Sequence, residues 1–269
     1  MADNPLSKPV VYRVAGMEHV VTRGDVVYRQ DEGAKLLMDI YSPPSSNAGS
    51  RFPAVLFIHG GPVPPAMGAP KQWGIFQSYG ALAGASGMVG VTFNHRLHSP
   101  TDYPRSESDI LAAVEYVRSH ADELGVDPSR IGIWVFSGGG PQVTWVLRQR
   151  PEYIRCLVAF YALLDVRHAI PPNADAAIRA WAQASSPAAF VKEKIAGLPT
   201  FIARAGRDQP MFNQAIDLFV SEALAGNASL DLYNHAEGQH SFDMLDDNER
   251  SREIISRALA FVQMHLKAV

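Results

Sequence analysis

Short apolar runs alternate with longer amphipathic stretches along most of this 269-residue chain. The runs are rich in valine, isoleucine, leucine and phenylalanine, and turn residues flank them. This alternation is typical of parallel strands that are covered by helices on both faces of a sheet. The predicted strands are 54–58, 89–93, 131–136, 157–161, 200–203 and 230–233.

The N-terminal part of the chain shows a different pattern. Residues 25–28 and 36–41 lie on either side of the turn segment Asp31-Glu-Gly33, which is a hairpin signal. We therefore expect the sheet to begin with an antiparallel pair. Further along, apolar side chains recur at helical spacing from Ile110 to Leu124 and again from Ile255 to Leu266.

Helix ends and loop lengths suggest how these elements are arranged. Ser106 followed by Asp109 predicts a capping box at the start of a helix. Segment 163–197 contains one modest helical stretch, 174–184, and is too short for a large cap domain. We expect one α/β domain over residues 1–269, with 163–197 as a small lid insertion.

Composition and charge narrow the function classes. A formal net charge of −3 provides no basic stripe for phosphate contacts, so nucleic acid is not an expected partner. Cys156, the single cysteine, lies in an apolar strand and is predicted to be a buried thiol. A reducing compartment is the simplest interpretation, and a secreted protein without disulfides is the alternative. The sequence shows neither a secretory signal nor a membrane span, which predicts a cytoplasmic protein without membrane association. A homodimer is one possible assembly.

A serine stands where an α/β enzyme would carry a nucleophile. Ser137 follows strand 131–136 and precedes Gly138-Gly-Gly140 and a helix-like stretch, 142–150. This order is typical of a nucleophile elbow, which presents the serine hydroxyl on a sharp turn and needs small neighbours. The usual pattern has glycine two residues before the serine, but this chain has Val135. Taken alone, the motif also fits an ordinary strand-to-helix turn.

The expected base is His240, in a polar loop between strand 230–233 and the C-terminal helix. Other histidines are less well placed. His235 lies nearer the strand end, and His95 and His98 follow an earlier strand. A further three fall on helical or loop surfaces: His120, His168 and His265.

The expected acid is Asp208, which follows strand 200–203 and can orient the imidazole. Asp165, after the preceding strand, is the alternative. The order Ser137, Asp208, His240 is that of α/β-hydrolases rather than of chymotrypsin or subtilisin. Three more aspartates are expected to form a solvated run with helix N-terminal charges: Asp243, Asp246 and Asp247.

The segment His59-Gly-Gly-Pro62 directly follows strand 54–58. The backbone N–H groups of Gly60 and Gly61 can face a developing oxyanion, with Gly138 as partner donor. A simple tight turn is the alternative. Large side chains in nearby loops should ring the site, or otherwise belong to the core or lid: Trp73, Phe76, Tyr103, Tyr161, Met211 and Phe242. Four of these are the candidate substrate contacts: Trp73, Tyr161, Met211 and Phe242.

Together these motifs resemble the His-Gly-Gly esterases and lipases of the α/β-hydrolase superfamily, the hormone-sensitive-lipase-like carboxylesterase group. The resemblance covers most of the chain and rests on the elbow and on segments 57–61, 94–97, 108–118, 125–131 and 237–242. It implies an α/β-hydrolase fold and hydrolysis of small carboxylic esters without a metal or organic cofactor. Pro62 departs from the group, because it replaces a third oxyanion glycine and has no N–H. An aryl-formamidase, a lactonase or a non-catalytic binding protein on this fold are the alternatives.

Overall fold

A computed structural model describes residues 5–31, 33–44, 49–194 and 197–267. Glu32 of the predicted hairpin turn and residues 195–196 of the predicted lid segment lie outside these ranges. None of the helices in the described ranges is long and apolar enough to cross a membrane.

The described residues form one sheet in the order β1-β2-β4-β3-β5-β6-β7-β8. The β1–β2 and β2–β4 pairs are antiparallel, whereas the pairings from β4 through β3 to β8 are parallel. This confirms the predicted sheet with an antiparallel start. The strands are β1 (Val21–Asp31), β2 (Ala34–Ser42), β3 (Phe52–Ile58), β4 (Val89–Phe93), β5 (Val126–Phe136), β6 (Ile154–Phe160), β7 (Thr200–Ala205) and β8 (Leu230–His235).

Helices cover both faces of the sheet, as predicted. They are α1 (Gly74–Ala85), α2 (Tyr103–Ser119), α3 (Ala121–Leu124), α4 (Thr144–Gln149), α5 (Ala176–Ala184), α6 (Val191–Lys194), α7 (Pro210–Ala225), α8 (Phe242–Leu245) and α9 (Glu249–His265). Alternate residues of β3 belong to two different apolar cores. Leu56 packs in the core with α2, α4 and α7, whereas Phe57 packs in the core with α1 and α9.

The predicted capping box at Ser106 and Asp109 is wrong, because both residues lie inside α2, which begins at Tyr103. The capping box is formed by Ser99 and Asp102 at the 3₁₀ turn that precedes the helix. The Ser99 N–H donates to Asp102 Oδ2 at 2.8 Å, and the Ser99 hydroxyl donates to the same oxygen at 2.9 Å.

The side chains of Ser106 and Asp109 instead face the loop after β4, where both are fully buried. The Ser106 hydroxyl lies 2.6 Å from His95 Nδ1. The Arg96 guanidinium donates to both oxygens of Asp109, at 2.6 Å and 2.8 Å. These contacts fix the loop after β4 against α2, next to the segment that follows β3.

Cys156 lies in β6 and is fully buried, as predicted. Burial raises the pKa of its thiol to about 12, because a thiolate would lose its hydration there. The thiol is therefore protonated at neutral pH and packs in the core.

Candidate active site

Ser137 is the first residue after β5, at the edge of the sheet where the parallel strands end. Its φ angle is 51°, in the left-handed region that residues with a Cβ rarely occupy. A 3₁₀ helix, Ser137–Val143, separates the strand from α4. The backbone thus has the shape of the predicted elbow, with this 3₁₀ segment added before the α-helix. Strain of this kind typically persists only where the surrounding structure holds it in place.

Close backbone contacts explain the three glycines after the serine. A Cβ built on any of them would lie closer to a carbonyl oxygen than real Cβ atoms do. The distance would be 1.8 Å from Gly138 to the Gly61 oxygen, 2.7 Å from Gly139 to the His59 oxygen, and 2.1 Å from Gly140 to the Leu163 oxygen. The glycine run therefore allows the elbow to pack against the loops after β3 and β6.

Val135 occupies the position where related motifs have glycine, and it is fully buried in β5. A Cβ at Gly139 would lie 3.1 Å from its Cγ2 atom. The valine side chain fits because the residue facing it, Gly139, has no side chain.

Three polar side chains that are distant in sequence form a hydrogen-bonded chain at this edge. The Ser137 Oγ lies 2.8 Å from His240 Nε2, and His240 Nδ1 lies 2.7 Å from Asp208 Oδ2. Asp208 follows β7, and its side chain is only 1% exposed. Its second oxygen accepts the N–H of Gln209 at 2.7 Å. This arrangement can take the proton from the serine hydroxyl and stabilise the resulting imidazolium.

The alternative acid, Asp165, contacts a different partner. Its Oδ1 accepts the N–H of Arg167 at 2.8 Å, and its Oδ2 accepts the Arg167 Nε–H at 2.7 Å. The structure therefore places Asp208, and not Asp165, beside His240.

The predicted solvated run after His240 is wrong for Asp243, which is fully buried. The side chain of Asp246 accepts hydrogen bonds from Gln239, and Asp247 pairs with Arg252. The difference arises because α8 turns Asp243 inward.

The competing histidines are engaged elsewhere. His235 Nε2 lies 3.1 Å from the Ser251 hydroxyl, and His98 Nδ1 lies 3.0 Å from the carbonyl oxygen of Val63. His95 stacks on the His59 ring, with centroids 3.6 Å apart. None of these contacts involves Ser137.

His59 and His95 support the backbone of the His-Gly-Gly segment. Burial lowers the pKa of His59 to about 4 and that of His95 well below its ordinary value, so both rings are neutral at pH 7. His59 Nδ1 lies 2.6 Å from the Gly60 carbonyl oxygen, and His95 Nε2 lies 3.2 Å from the His59 carbonyl oxygen. The neutral His59 ring therefore donates its Nδ1–H to the Gly60 carbonyl group.

That hydrogen bond orients the peptide group between Gly60 and Gly61. In a trans peptide the N–H points away from the C=O, so the Gly61 N–H points away from the His59 ring. A Cβ on Gly60 would lie 2.7 Å from the Ser137 Cβ. The glycine backbone consequently lies directly against the serine.

Two cavities adjoin this site, and Gly61 and Pro62 line both. The smaller has a volume of about 270 Å³ and contains Ser137 and His240. Its aromatic walls are Trp73, Phe76, Phe136 and Tyr161. The larger, of about 620 Å³, adjoins Gly138 and is lined mainly by apolar residues, among them Tyr103, Leu163, Val166, Ile170, Ile178, Trp181, Met211 and Phe212.

Three of the four candidate substrate contacts line these cavities. Trp73 and Tyr161 border the smaller one, and Met211 borders the larger one. Phe242 lines neither cavity and is a core residue, fully buried with its ring centroid 5.7 Å from that of Phe160. Sequence reasoning missed Trp181 on α5, although the apolar face of that short helix was a signal for it.

Comparisons with known proteins agree with this fold. The BD-FAE family model matches residues 38–144, a range that includes Ser137 but ends before Asp208 and His240. Carboxylesterase 3B of Mus musculus is 31% identical over 116 residues, which are 39% of this chain and 19% of that protein. Esterase LipI of Mycobacterium tuberculosis is 32% identical over 112 residues, 41% of this chain and 33% of that protein. The chain thus spans about a fifth to a third of these curated relatives.

Solved structures of a Thermogutta terrifontis esterase align over a much larger share of the chain. The native form has a TM-score of 0.74 and 22% identity, covering 94% of this chain and 95% of that one. A propionate-bound form has a TM-score of 0.73 and 20% identity, with coverages of 94% and 98%. A form phosphorylated by paraoxon has a TM-score of 0.70 and 20% identity, with coverages of 94% and 97%. At this identity the likeness concerns the fold. The family model covers less than half of this chain, and the structural likeness shows that the chain has the α/β-hydrolase fold of these esterases.

Proposed function

We propose that this protein is a carboxylesterase-like serine hydrolase that cleaves small carboxylic esters through an acyl-enzyme on Ser137. The observation that carries the proposal is the hydrogen-bonded chain from Ser137 through His240 to Asp208. It lies beside the Gly60–Gly61 backbone, which His59 holds in one orientation. The named esterases among the relatives and structural neighbours support the same reaction class.

In the first half of the reaction, His240 Nε2 removes the Ser137 proton while Oγ attacks the ester carbonyl carbon. Asp208 remains ionised and stabilises the imidazolium. The carbonyl oxygen becomes an oxyanion and accepts hydrogen bonds from the N–H groups of Gly61 and Gly138. Gly60 packs against the Ser137 side chain. His240 then protonates the leaving alcohol oxygen, which leaves an acyl group on Ser137.

In the second half, His240 removes a proton from water, and the resulting hydroxide adds to the acyl carbon. The same N–H groups stabilise the second oxyanion, and His240 returns the proton to Ser137 Oγ as the acid departs. His240 carries out every proton transfer in this scheme, and the backbone N–H groups only donate hydrogen bonds to the oxyanions. Pro62 donates no hydrogen bond, so two glycine N–H groups carry the stabilisation.

The two cavities suit a substrate with apolar groups on both sides of the reacting carbonyl group. Aromatic walls around Ser137 suit a short acyl or aryl group, and the bound propionate of the structural neighbour supports short acids. The larger apolar cavity has room for a second apolar group of the substrate. Aryl-formamidase or lactonase activity would use the same residues and remains the second proposal within this chemistry.

Turnover of p-nitrophenyl acetate tests the proposal. We expect p-nitrophenol release by the wild type, and its loss to near the uncatalysed rate in Ser137→Ala and in His240→Ala. His19→Ala removes an exposed histidine and serves as the matched control, with wild-type turnover expected. A folded wild type without hydrolysis of any ester in an acyl-length panel would instead support a non-catalytic binding protein.

Cytoplasmic location, homodimer formation and the single-domain organisation with a lid at 163–197 stay predictions from the sequence. Between β6 and β7 the described residues contain α5, a 3₁₀ turn at Pro187–Ala189 and α6.

A further inference from the structure

Asp243 is a buried carboxylate that the proposed reaction does not use. Its side chain is fully buried, and both oxygens accept hydrogen bonds from tyrosine hydroxyls. Tyr79 on α1 donates to Oδ2 at 2.7 Å, and Tyr161 donates to Oδ1 at 2.8 Å. Buried carboxylates usually pair with a cation, whereas in the described part of the chain this one is bound by two phenols.

Tyr161 connects this carboxylate to the reaction centre. It directly follows β6, and its φ of 38° lies in the left-handed region, which residues with a Cβ rarely adopt. Its ring centroid lies 4.7 Å from that of His240, and its ring borders the cavity that contains Ser137. A side chain in this position limits how far the imidazole can rotate or shift.

We propose that Asp243 is a positioning residue for His240, because it holds the Tyr161 hydroxyl and thereby fixes the Tyr161 ring against the imidazole. The inference rests on the proposed function of His240 as the base. Asp243 and His240 are also close in sequence, three residues apart, so α8 and the loop before it bring both to the same place. Tyr79 donates to the other carboxylate oxygen, and among the described residues its ring contacts Phe57, Trp134 and Phe136 rather than His240.

The charge state of Asp243 is consistent with this role. Burial raises its pKa to about 6, whereas the hydroxyls of Tyr79 and Tyr161 and the nearby His240 act in the opposite direction. These are the titratable groups that face it from α1, from the end of β6 and from the histidine loop. Above about pH 6 the carboxylate is ionised and accepts the hydrogen bonds of both phenols as a charged, stronger acceptor.

Kinetics of four variants separate positioning from general stability. We expect Tyr161→Phe and Asp243→Asn each to lower kcat for p-nitrophenyl acetate by about ten- to a hundred-fold with KM little changed, the scale expected for a misplaced catalytic group. The Asp243→Asn/Tyr161→Phe double variant should be no slower than the worse single variant, because both act through one contact. Tyr79→Phe removes the other hydroxyl of the same carboxylate and should keep near-wild-type kcat.

An equal fall of kcat in Tyr79→Phe and Tyr161→Phe would overturn the inference, as would full additivity in the double variant. If Asp243→Asn does not fold, the kcat values of Tyr161→Phe and Tyr79→Phe still test the positioning role. Each of these variants removes only one oxygen atom.

A second measurement does not depend on activity. In NMR spectra of protein with ¹³C-labelled histidine, the His240 ring signal is identified by its absence in His240→Ala. We expect Tyr161→Phe and Asp243→Asn to move this signal, since the ring-current field of Tyr161 changes, and Tyr79→Phe to leave it in place. An unmoved signal in the first two variants would refute the positioning role. A wild type without esterase activity would refute the proposed function alone.

Discussion

At the level of single residues, contacts between backbone atoms determine the shape of the site. Ser137 adopts a left-handed conformation, and Gly138 passes so close to the Gly61 carbonyl group that a side chain has no space. These requirements explain why three glycines follow Ser137. They place no such restriction on position 135, where this chain has valine in place of the usual glycine. The sequence predicted the elbow correctly, because a strand followed by serine and glycines restricts the chain to few conformations.

Replacement of Asp208, the proposed acid of the triad, is predicted to lower turnover severely. Asp208→Asn should lower kcat by about 10³- to 10⁴-fold, because the amide cannot hold His240 in the tautomer that accepts the serine proton. Asp165 cannot substitute for Asp208 in this structure, because both of its carboxylate oxygens accept hydrogen bonds from Arg167. Steady-state kinetics of an ester substrate measure the effect.

Asp165→Asn is the matched control for this prediction. Its turnover should stay within a few-fold of the wild type. A large loss in Asp165→Asn together with a small loss in Asp208→Asn would reverse the assignment of the acid.

Two of the residues that the sequence misassigned, Phe242 and Asp243, are neighbours in α8. Phe242 was predicted to contact substrate and Asp243 to be solvated, yet both are fully buried. A four-residue helix such as α8 is too short to show hydrophobic periodicity, so the sequence contains no pattern that reveals its inward face. Burial of an aspartate also depends on the Tyr79 and Tyr161 hydroxyls, which come from distant segments.

At the level of elements, the segment between β6 and β7 forms a wall of the larger cavity. Trp181 on α5 lines that cavity, and its ring centroid lies 5.5 Å from that of Tyr103. The neighbouring Gln183 is exposed. Under the proposed function, α5 is therefore well placed to influence which large esters bind.

Truncation of that wall should change substrate preference. In Trp181→Ala we expect kcat/KM for bulky apolar esters to fall by about ten-fold or more, the scale of one lost aromatic contact. The value for p-nitrophenyl acetate should stay within about two-fold. Gln183→Ala, on the exposed side of the same helix, should change neither, and an equal loss for acetate and bulky esters in Trp181→Ala would contradict a role in selectivity.

The strands and the long helices α2 and α9 were predicted, whereas α1 and α7 were not. The predicted strands lie within the observed ones except for one C-terminal residue, Tyr161, because short apolar runs between helices are a strong signal. Helix α1 contains several glycines and alanines, and Gly80 packs so tightly that a Cβ there would lie 2.3 Å from the Tyr41 ring. Such close packing favours small residues, which removes the large apolar stripe that identifies a helix.

At the level of the whole molecule, the buried His59–His95 pair makes stability depend on pH. Burial lowers the pKa of His59 to about 4 and that of His95 well below 6.5. Below about pH 6.5 the unfolded chain binds protons on both rings, while the folded protein does not bind one on His59 until about pH 4. The free energy of unfolding must therefore decrease as pH falls through this window, by at most about 1.4 kcal/mol per pH unit for each ring.

Urea unfolding between pH 4 and pH 7 measures this effect when the wild type is compared with His95→Gln. The variant lacks one of the two buried rings and should lose stability less steeply as the pH falls. Between pH 3.8 and about pH 6, Asp243 changes the free energy of unfolding with the opposite sign, because its pKa is raised in the folded protein. Both proteins contain Asp243, so its contribution cancels in the comparison. Parallel curves for the two proteins would show that His95 does not remain neutral in the fold.

The assembly of the site depends on topology that no local pattern encodes. Sequence order suggested that Ser137, Asp208 and His240 meet, because parallel strands end at one edge of a sheet. Their distances, and the engagement of Asp165 with Arg167, follow only from the packed molecule.

Covalent labelling of Ser137 tests the central claim most directly. The wild type is treated with paraoxon, which phosphorylates a structural neighbour, and the modified peptide is located by mass spectrometry. We predict one diethylphosphoryl group, on the peptide that contains Ser137, with labelling absent in Ser137→Ala and strongly slowed in His240→Ala. Labelling at another residue, or labelling of Ser137→Ala at the wild-type rate, would contradict the account.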